Sequence, residues 1–84
     1  MVDVLQLAEA RRYAASGQGQ RLRLTARLSL GEVARSIGTS HVTVLRYETG
    51  ERRPTGEVGV RYGQFMKALE RRGFAPEDIE ALAQ

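Results

Sequence analysis

Residues 29–54 read SLGEVARSIGTSHVTVLRYETGERRP, and this stretch begins with the signals that start and stop a short helix. Ser29 and Glu32 have the S-x-x-E spacing of a capping box, in which the hydroxyl accepts a hydrogen bond from the third helical amide and the carboxylate accepts one from the capping residue's amide. Gly38 follows where a helix end favours a residue with positive φ, which glycine adopts without steric cost. The pattern predicts a helix over residues 30–37.

A second helix is predicted directly after the first. Ser40 is a favourable N-cap, Gly50 is suited to a helix end, and Pro54 excludes continuation. These limits give a helix over residues 41–49. At about 100° per residue, one side of this helix faces inward and consists of Val44, Tyr47 and Glu48. The opposite side carries Val42, Leu45, Arg46 and Thr49.

The two predicted helices are joined by three residues that include a glycine, as in a helix-turn-helix. A tight crossing needs a small residue on the first helix, here Ala34, and apolar residues on the inner side of the second, here Val44 and Tyr47. Gly38 supplies the turn. Because these residues occur at the required separations, residues 29–49 are predicted to form a helix-turn-helix.

The N-terminal part of the chain also has helical periodicity. Residues 3–15 are predicted to form an additional helix, with Val4, Leu7, Ala8 and Ala14 or Ala15 at helical spacing. A second helix is predicted over about residues 18–27, with Leu22 and Leu24 as its apolar anchors. Both precede the helix-turn-helix.

The C-terminal part predicts two more helices. Thr55 is a candidate cap for a helix over residues 56–72, in which Gly59 and Gly63 would let a neighbouring helix approach closely. A last helix is predicted at about residues 76–83. The sequence therefore predicts an all-α fold of five to six short helices, in a single domain over residues 1–84.

Size and composition narrow the function classes. The 84 residues leave no space for a deep substrate cavity, and without cysteine there is no disulfide, thiolate metal site or thiol nucleophile. The single histidine cannot build a zinc site. We expect no enzyme activity, no catalytic or metal-binding residue and no cofactor. The chain has no segment of about 18 apolar residues, and acidic residues stand where a signal peptide needs basic ones. We therefore expect a cytoplasmic protein.

The net charge of +3 is unevenly distributed. Residues 11–53 contain nine arginines and three glutamates, a balance of +6. Residues 73–84 contain three acidic residues and no basic one. A basic body with an acidic tail favours a polyanion bound to one face of the domain.

The segment LSLGEVARSIGTSHVTVLRYETGERRP, residues 28–54, resembles the Cro/CI-type helix-turn-helix family, the lambda-repressor-like domains of phage repressors and bacterial regulators. The resemblance extends over about Arg21 to Leu69. It is strongest at LSLGEVA, at the glycine turn and at the E-x-G-x-x-x-P pattern that ends at Pro54. It implies a lambda-repressor-like bundle that binds duplex DNA with the second helix of the motif in the major groove. The expected function is a sequence-specific transcriptional regulator, of a Cro-like or small-repressor type that acts by occupying an operator.

Candidate base contacts lie on the outward side of the second helix of the motif. In a major groove, Arg46 would bind guanine O6 and N7 bidentately, and Val42 would contact a thymine methyl group. His41, at the helix start, would donate to a base edge or a phosphate. The resemblance supports the same three residues, because they match base-contacting positions in the family.

Candidate phosphate contacts surround this helix. The resemblance implies contacts from Ser40 and Thr43, and from Arg52 and Arg53 in the loop where family members bind the DNA backbone. Thr55, at the start of the next helix, offers a hydroxyl and amides for a further phosphate. Such contacts give affinity and salt dependence but carry no sequence information.

The resemblance also implies a structural ion pair between Arg23 and Glu48, which would link the first family helix to the end of the recognition helix. Leu30 departs from the family pattern, which often has a glutamine that contacts phosphate after the cap. Leucine cannot make that hydrogen bond.

Several alternatives stay open from sequence alone. The segment of residues 3–15 could be an extra packed helix, a DNA-contacting arm through Arg11 and Arg12, or a dimer contact. The last helix, with Ile79 and Leu82, could form a homodimer surface or cap its own core. An antitoxin-type protein-interaction module is a second function class, and the sequence VTVLRYE also allows an excisionase-like or MerR-like DNA-binding protein. The expected partners are an operator in duplex DNA and a possible second copy of the chain, with no membrane and no small-molecule ligand.

Overall fold

The computed structural model describes residues 3–76. They form five helices, namely α1 (Val4–Ala15), α2 (Gln18–Thr25), α3 (Leu30–Ile37), α4 (His41–Thr49) and α5 (Gly56–Arg71). No strand occurs within this range, and the all-α class is confirmed. The helix predicted at about residues 76–83 lies outside the described residues.

Helices α3 and α4 have the bounds that their capping residues predict. The Glu32 amide donates to Ser29 Oγ at 3.0 Å, and the Ser29 amide donates to the Glu32 carboxylate at 2.9 Å. Gly38 ends α3 with a φ of +79°, and Gly50 ends α4 with a φ of +78°. Ser40 Oγ accepts from the Thr43 amide at 3.4 Å at the start of α4.

The turn between α3 and α4 is closed by hydrogen bonds to one carbonyl. The amides of Gly38 and Thr39 both donate to Ala34 O, the latter at 2.9 Å. Ala34 is buried at the crossing, together with a set of apolar side chains from both helices, Val33, Ile37, Val44 and Tyr47. This packing fixes the angle between α3 and α4. The side of α4 that faces away from the core stays uncovered.

Helix α1 packs on α5, as an additional helix of the bundle. The contact depends on two glycines of α5, because a β-carbon on Gly63 would stand 2.9 Å from the β-carbon of Ala10. A β-carbon on Gly59 would stand 2.8 Å from the carbonyl carbon of Pro54 and 3.1 Å from Leu7 Cδ2. Close approach at these glycines, which the sequence predicts, is confirmed. Of the three roles open for α1, packing is the one that this contact shows.

The buried side of α1 agrees with the predicted one at Ala14 but differs from it at the start of the helix. Val4 is 72% exposed, and Ala8 is also exposed, whereas Ala10, Tyr13 and Ala14 are buried. The choice is made by α5, since Ala10 fits the hollow at Gly63 and the Tyr13 hydroxyl donates to the Glu70 carboxylate. Burial and this hydrogen bond raise the pKa of Tyr13 to about 12.

Helix α2 is shorter than predicted and has one apolar anchor rather than two. Leu22 is fully buried, but Leu24 is 39% exposed because two residues two apart lie on opposite sides of a helix. The side next to Leu22 is occupied by the buried Arg23. The helix ends at Thr25, and Arg27 has a φ of +59°, which is incompatible with continuation to residue 27.

Thr55 precedes α5 but does not cap it through its side chain, contrary to the prediction. The next residue, Gly56, has a φ of +63°, so the chain enters this helix in an irregular geometry. The rest of α5 is regular, and Tyr62, Met66 and Leu69 are buried on its inner face. Its Tyr62 ring meets Tyr47 of α4 edge to face, with centroids 5.0 Å apart. This aromatic contact supports α4 from behind.

Candidate nucleic-acid interface

The outward side of α4 carries two exposed apolar side chains beside an arginine. Val42 is 38% exposed and Leu45 is 42% exposed, whereas Val44 and Tyr47 on the same helix are buried. Arg46 is exposed one turn after Val42. His41 and Thr49 are exposed at the two ends of the helix. The structure thus brings the three predicted base-contacting residues together on one surface.

Arg46 has a loosely held side chain. Its Nε lies 3.8 Å from the Glu51 carboxylate, and both side chains are largely exposed. An exposed ion pair of this kind contributes about 0–1 kcal/mol, so the guanidinium can exchange Glu51 for another acceptor at little cost. The Arg46 carbonyl accepts from the Arg52 amide at 3.1 Å, which folds the following loop back against the end of α4.

Two hydroxyl groups lie together at the start of α4. Ser40 Oγ and Thr43 Oγ1 are 3.3 Å apart, and the first also caps the helix. The first-turn amides of a helix have no acceptor within the helix, and they attract anions. The amides of His41 and Val42 stand in this position. Hydroxyls and amides together form a group of donors suited to a phosphate.

The loop after α4 presents two arginines on a rigid base. Arg52 and Arg53 are exposed, whereas Pro54 is fully buried and its carbonyl accepts from Arg11 Nε at 2.9 Å. Within residues 3–76, neither Arg52 nor Arg53 forms a salt bridge with a carboxylate. Thr55 is exposed beside them, and its hydroxyl makes no capping hydrogen bond to α5. Of the four residues from Arg52 to Thr55, Pro54 anchors the loop and the other three side chains face solvent.

Arg23 and Glu48 form a bidentate ion pair behind the exposed surface. Arg23 Nε lies 2.5 Å from Glu48 Oε2, and Nη2 lies 2.9 Å from Oε1. The remaining Nη1 donates to Leu28 O at 2.9 Å. The Glu48 side chain is only 1% exposed, so this carboxylate faces the core and not the outward side of α4.

Three further residues shape this surface, and two of them, Arg61 and Arg11, have no local sequence signal. Arg61 of α5 donates to Ile37 O at 3.5 Å and so adds a donor at the end of α3. Arg11 joins α1 to the loop, at a separation of 43 residues. Glu51 could have been suspected, because a glutamate five residues after Arg46 in a tight loop lies within reach of it.

A metal site and a membrane-spanning helix are both absent from the described part of the chain. Among residues 3–76 there is no group of three or more His, Cys, Asp or Glu side chains placed to hold a metal ion. None of the five helices combines the length and the hydropathy needed to cross a bilayer.

One comparison with known proteins agrees with this geometry. A family model described as a helix-turn-helix domain matches residues 20–84, which include α3, α4 and α5. No significant match was found among curated proteins or among solved structures. All of α1 and the first two residues of α2, Gln18 and Gly19, lie before the matched residues. Since the family model matches well over half of the 84 residues, the chain belongs to the helix-turn-helix domain family.

Proposed function

We propose that this protein is a sequence-specific transcriptional regulator that places α4 in the major groove of duplex DNA. Membership of the helix-turn-helix family supports a DNA-binding regulator. The observation that carries the finer proposal is the outward side of α4, where Val42, Leu45 and Arg46 are exposed although the helix is packed behind them. An uncovered side with apolar groups and a guanidinium suits a surface of base edges.

Each exposed side chain has a role in this proposal. Arg46 exchanges Glu51 for O6 and N7 of a guanine, a contact worth about 1–3 kcal/mol of discrimination. Val42 packs against a thymine methyl group, and His41 donates to a base edge near the helix start. Sequence readout then rests on side chains of one short, rigid helix.

The phosphate contacts hold the helix in register. Ser40 and Thr43 bind one strand at the start of α4, and Arg52, Arg53 and Thr55 bind the backbone beyond its end. Such contacts orient the domain and make affinity depend on salt, while the bases determine the site. Arg23 and Glu48 act indirectly in this scheme, because they fix the position of α4 from the inside.

The regulator is proposed to be a Cro-like or small repressor that acts in the cytoplasm by occupying an operator and excluding polymerase. Two copies would place their α4 helices in half-sites about one DNA turn apart, about 34–36 Å. The excisionase-like and MerR-like alternatives follow the motif with a wing, whereas here α5 follows it. The antitoxin-type alternative differs in its main ligand, which would be a protein.

The test is selection from a random duplex pool at about 150 mM salt, near physiological ionic strength. Wild type is compared with Arg46→Ala and with a control, Arg71→Ala, which removes an exposed arginine from the far end of α5. We expect wild type and the control to enrich one motif, and Arg46→Ala to lose preference at one G·C pair. An inverted repeat in the motif would support a dimer. A folded wild type that enriches nothing would reject the proposal in favour of a protein partner.

A further inference from the structure

A groove lies between α1, the end of α4 and the loop after it. Its volume is about 230 Å³, and its floor is apolar, formed by Ala14, Tyr47 and Pro54. Three arginines line it, Arg11 from α1 and Arg52 and Arg53 from the loop. The helix-turn-helix model begins after α1, so Arg11 is a contribution of the additional helix. We call this feature the three-arginine groove.

The positive charge of the three-arginine groove is not neutralised by nearby carboxylates. Among residues 3–76, none of the three arginines forms a salt bridge. The carboxylate nearest in sequence, that of Glu51, is directed to Arg46 and does not line the groove. Three arginines that line one groove with no carboxylate among the lining residues make it electropositive, which favours binding of an anion.

Arg11 is held in place while its terminal nitrogens stay available. Its Nε donates to the Pro54 carbonyl at 2.9 Å, which ties the side chain to the loop. In residues 3–76 the hydrogen bonds of Arg11 go through Nε, so both terminal nitrogens can donate to a ligand. A guanidinium fixed by one nitrogen and free at two others is preorganised for a tetrahedral oxyanion such as phosphate.

The three-arginine groove lies at the C-terminal end of α4, the end that would approach the rim of the DNA major groove. Helix α4 has nine residues, a length of about 13.5 Å at 1.5 Å per residue. The major groove is about 12 Å wide, so the C-terminal end of a helix of this length that lies in it comes near the sugar-phosphate rim. Gly50 ends α4 and also lines the three-arginine groove. With α4 in the major groove as proposed above, the three-arginine groove would therefore lie near the sugar-phosphate backbone.

We propose that the three-arginine groove binds a backbone phosphate of the duplex, with Arg11 of α1 as one of its ligands. The inference rests on the proposed function and extends it, because it makes α1 part of the DNA-binding surface. Phosphate is held between Arg11 and the loop arginines.

The test measures the salt dependence of binding to one selected duplex for wild type, Arg11→Gln and Arg12→Gln. Arg12 is a matched control, since it is the neighbouring arginine on α1 but stacks over the Tyr13 ring at 5.6 Å and does not line the groove. Loss of one phosphate contact lowers the slope of log K against log salt by about 0.9. We expect that decrease for Arg11→Gln and a clearly smaller one for Arg12→Gln. Equal slopes for the two variants would overturn the inference.

Arg11→Lys separates binding from folding. Lysine keeps the charge but lacks the Nε donor to Pro54, so we expect a loss of thermal stability with a slope close to that of wild type. A slope that falls as far in Arg11→Lys as in Arg11→Gln would mean that the effect is structural, against the inference. If wild type binds no duplex at all, both the proposed function and this inference fail. If wild type binds and the slope is unchanged in Arg11→Gln, only the phosphate site is rejected.

A second measurement leaves Arg11 unchanged and alters the DNA. Single phosphates of the duplex are replaced in turn by neutral methylphosphonates. We expect one replacement at the edge of the motif to weaken wild type, and to weaken a double variant, Arg52→Gln with Arg53→Gln, much less. If no phosphate of the duplex behaves in this way, the inference is overturned, and this outcome can be read even where Arg11→Gln does not fold.

Discussion

Replacing Glu48 by alanine should strongly destabilise the fold without touching the outward side of α4. The carboxylate is 1% exposed and accepts two hydrogen bonds from Arg23, at 2.5 and 2.9 Å. Alanine leaves the Arg23 guanidinium, itself buried, with the Leu28 carbonyl as its remaining partner in the described residues. An uncompensated charge in the core is the physical cause of the expected loss.

The magnitude follows from this geometry. Breaking a buried pair by removing one partner costs about 3–5 kcal/mol. At roughly 0.05–0.15 kcal/mol per residue, 84 residues give a total stability of about 4–13 kcal/mol. The substitution therefore removes between a quarter and all of the stability. Removing Glu57 instead should cost about 1 kcal/mol or less, because its pair with Arg61 is exposed at 3.4 Å.

The assay is urea denaturation of wild type, Glu48→Ala, Glu57→Ala, Arg23→Ala and the double variant of Arg23 and Glu48. We expect the double variant to be much more stable than the sum of its single losses allows, because each single change strands the other partner. Glu48→Ala within about 1 kcal/mol of wild type, with an unchanged m-value, would refute the reasoning. Additive losses in the double variant would refute it as well.

Three further predictions concern packing and capping. Gly63→Ala should lower the free energy of unfolding by about 1–3 kcal/mol, because its β-carbon would stand 3.0 Å from the Ala10 backbone. Gly31→Ala should instead raise the free energy of unfolding by about 0.5–1 kcal/mol, because its β-carbon meets nothing closer than 3.5 Å. Urea titrations that reverse this order would contradict the packing of α1 on α5. The amide of Ser29, with its hydroxyl as a second cause, holds the pKa of Glu32 below its ordinary value of 4.5. The capping box therefore stabilises fully above about pH 4.5 and loses its contribution as the pH falls through the lower folded-state pKa. Glu32→Gln keeps the cap and should lose less stability than wild type between about pH 6 and pH 3, whereas an equal loss would show that this carboxylate has no part in the acid response.

The local signals of the sequence predicted α3 and α4 to the residue. Ser29, Glu32, Gly38 and Ser40 act on their immediate neighbours, so their geometry could be inferred without knowledge of the remaining fold. The buried side of α1 could not, because helical spacing alone allowed a stripe through Val4 and Ala8. The hollow at Gly63 selects the other side.

Contacts between distant segments were the least predictable part of the candidate interface. The hydrogen bond from Arg11 to the Pro54 carbonyl depends on how α1 docks against α5, which no local pattern specifies. The pairing of Arg23 with Glu48 was accessible through the resemblance, since periodicity gives no reason for an arginine to point inward. The outward side of α4 was predictable because a short helix with Val44 and Tyr47 buried must expose the residues opposite them.

The most direct test of the central claim is a binding titration with a modified guanine. In the selected duplex, the guanine assigned to Arg46 is replaced by 7-deazaguanine, which lacks the N7 acceptor but keeps the Watson–Crick pair. We predict weaker binding by wild type, with a loss up to the 1–3 kcal/mol, or about 5- to 150-fold, of a full bidentate contact. Arg46→Ala should bind the two duplexes equally. Equal affinity of folded wild type for both duplexes at every guanine of the motif would contradict base reading by α4.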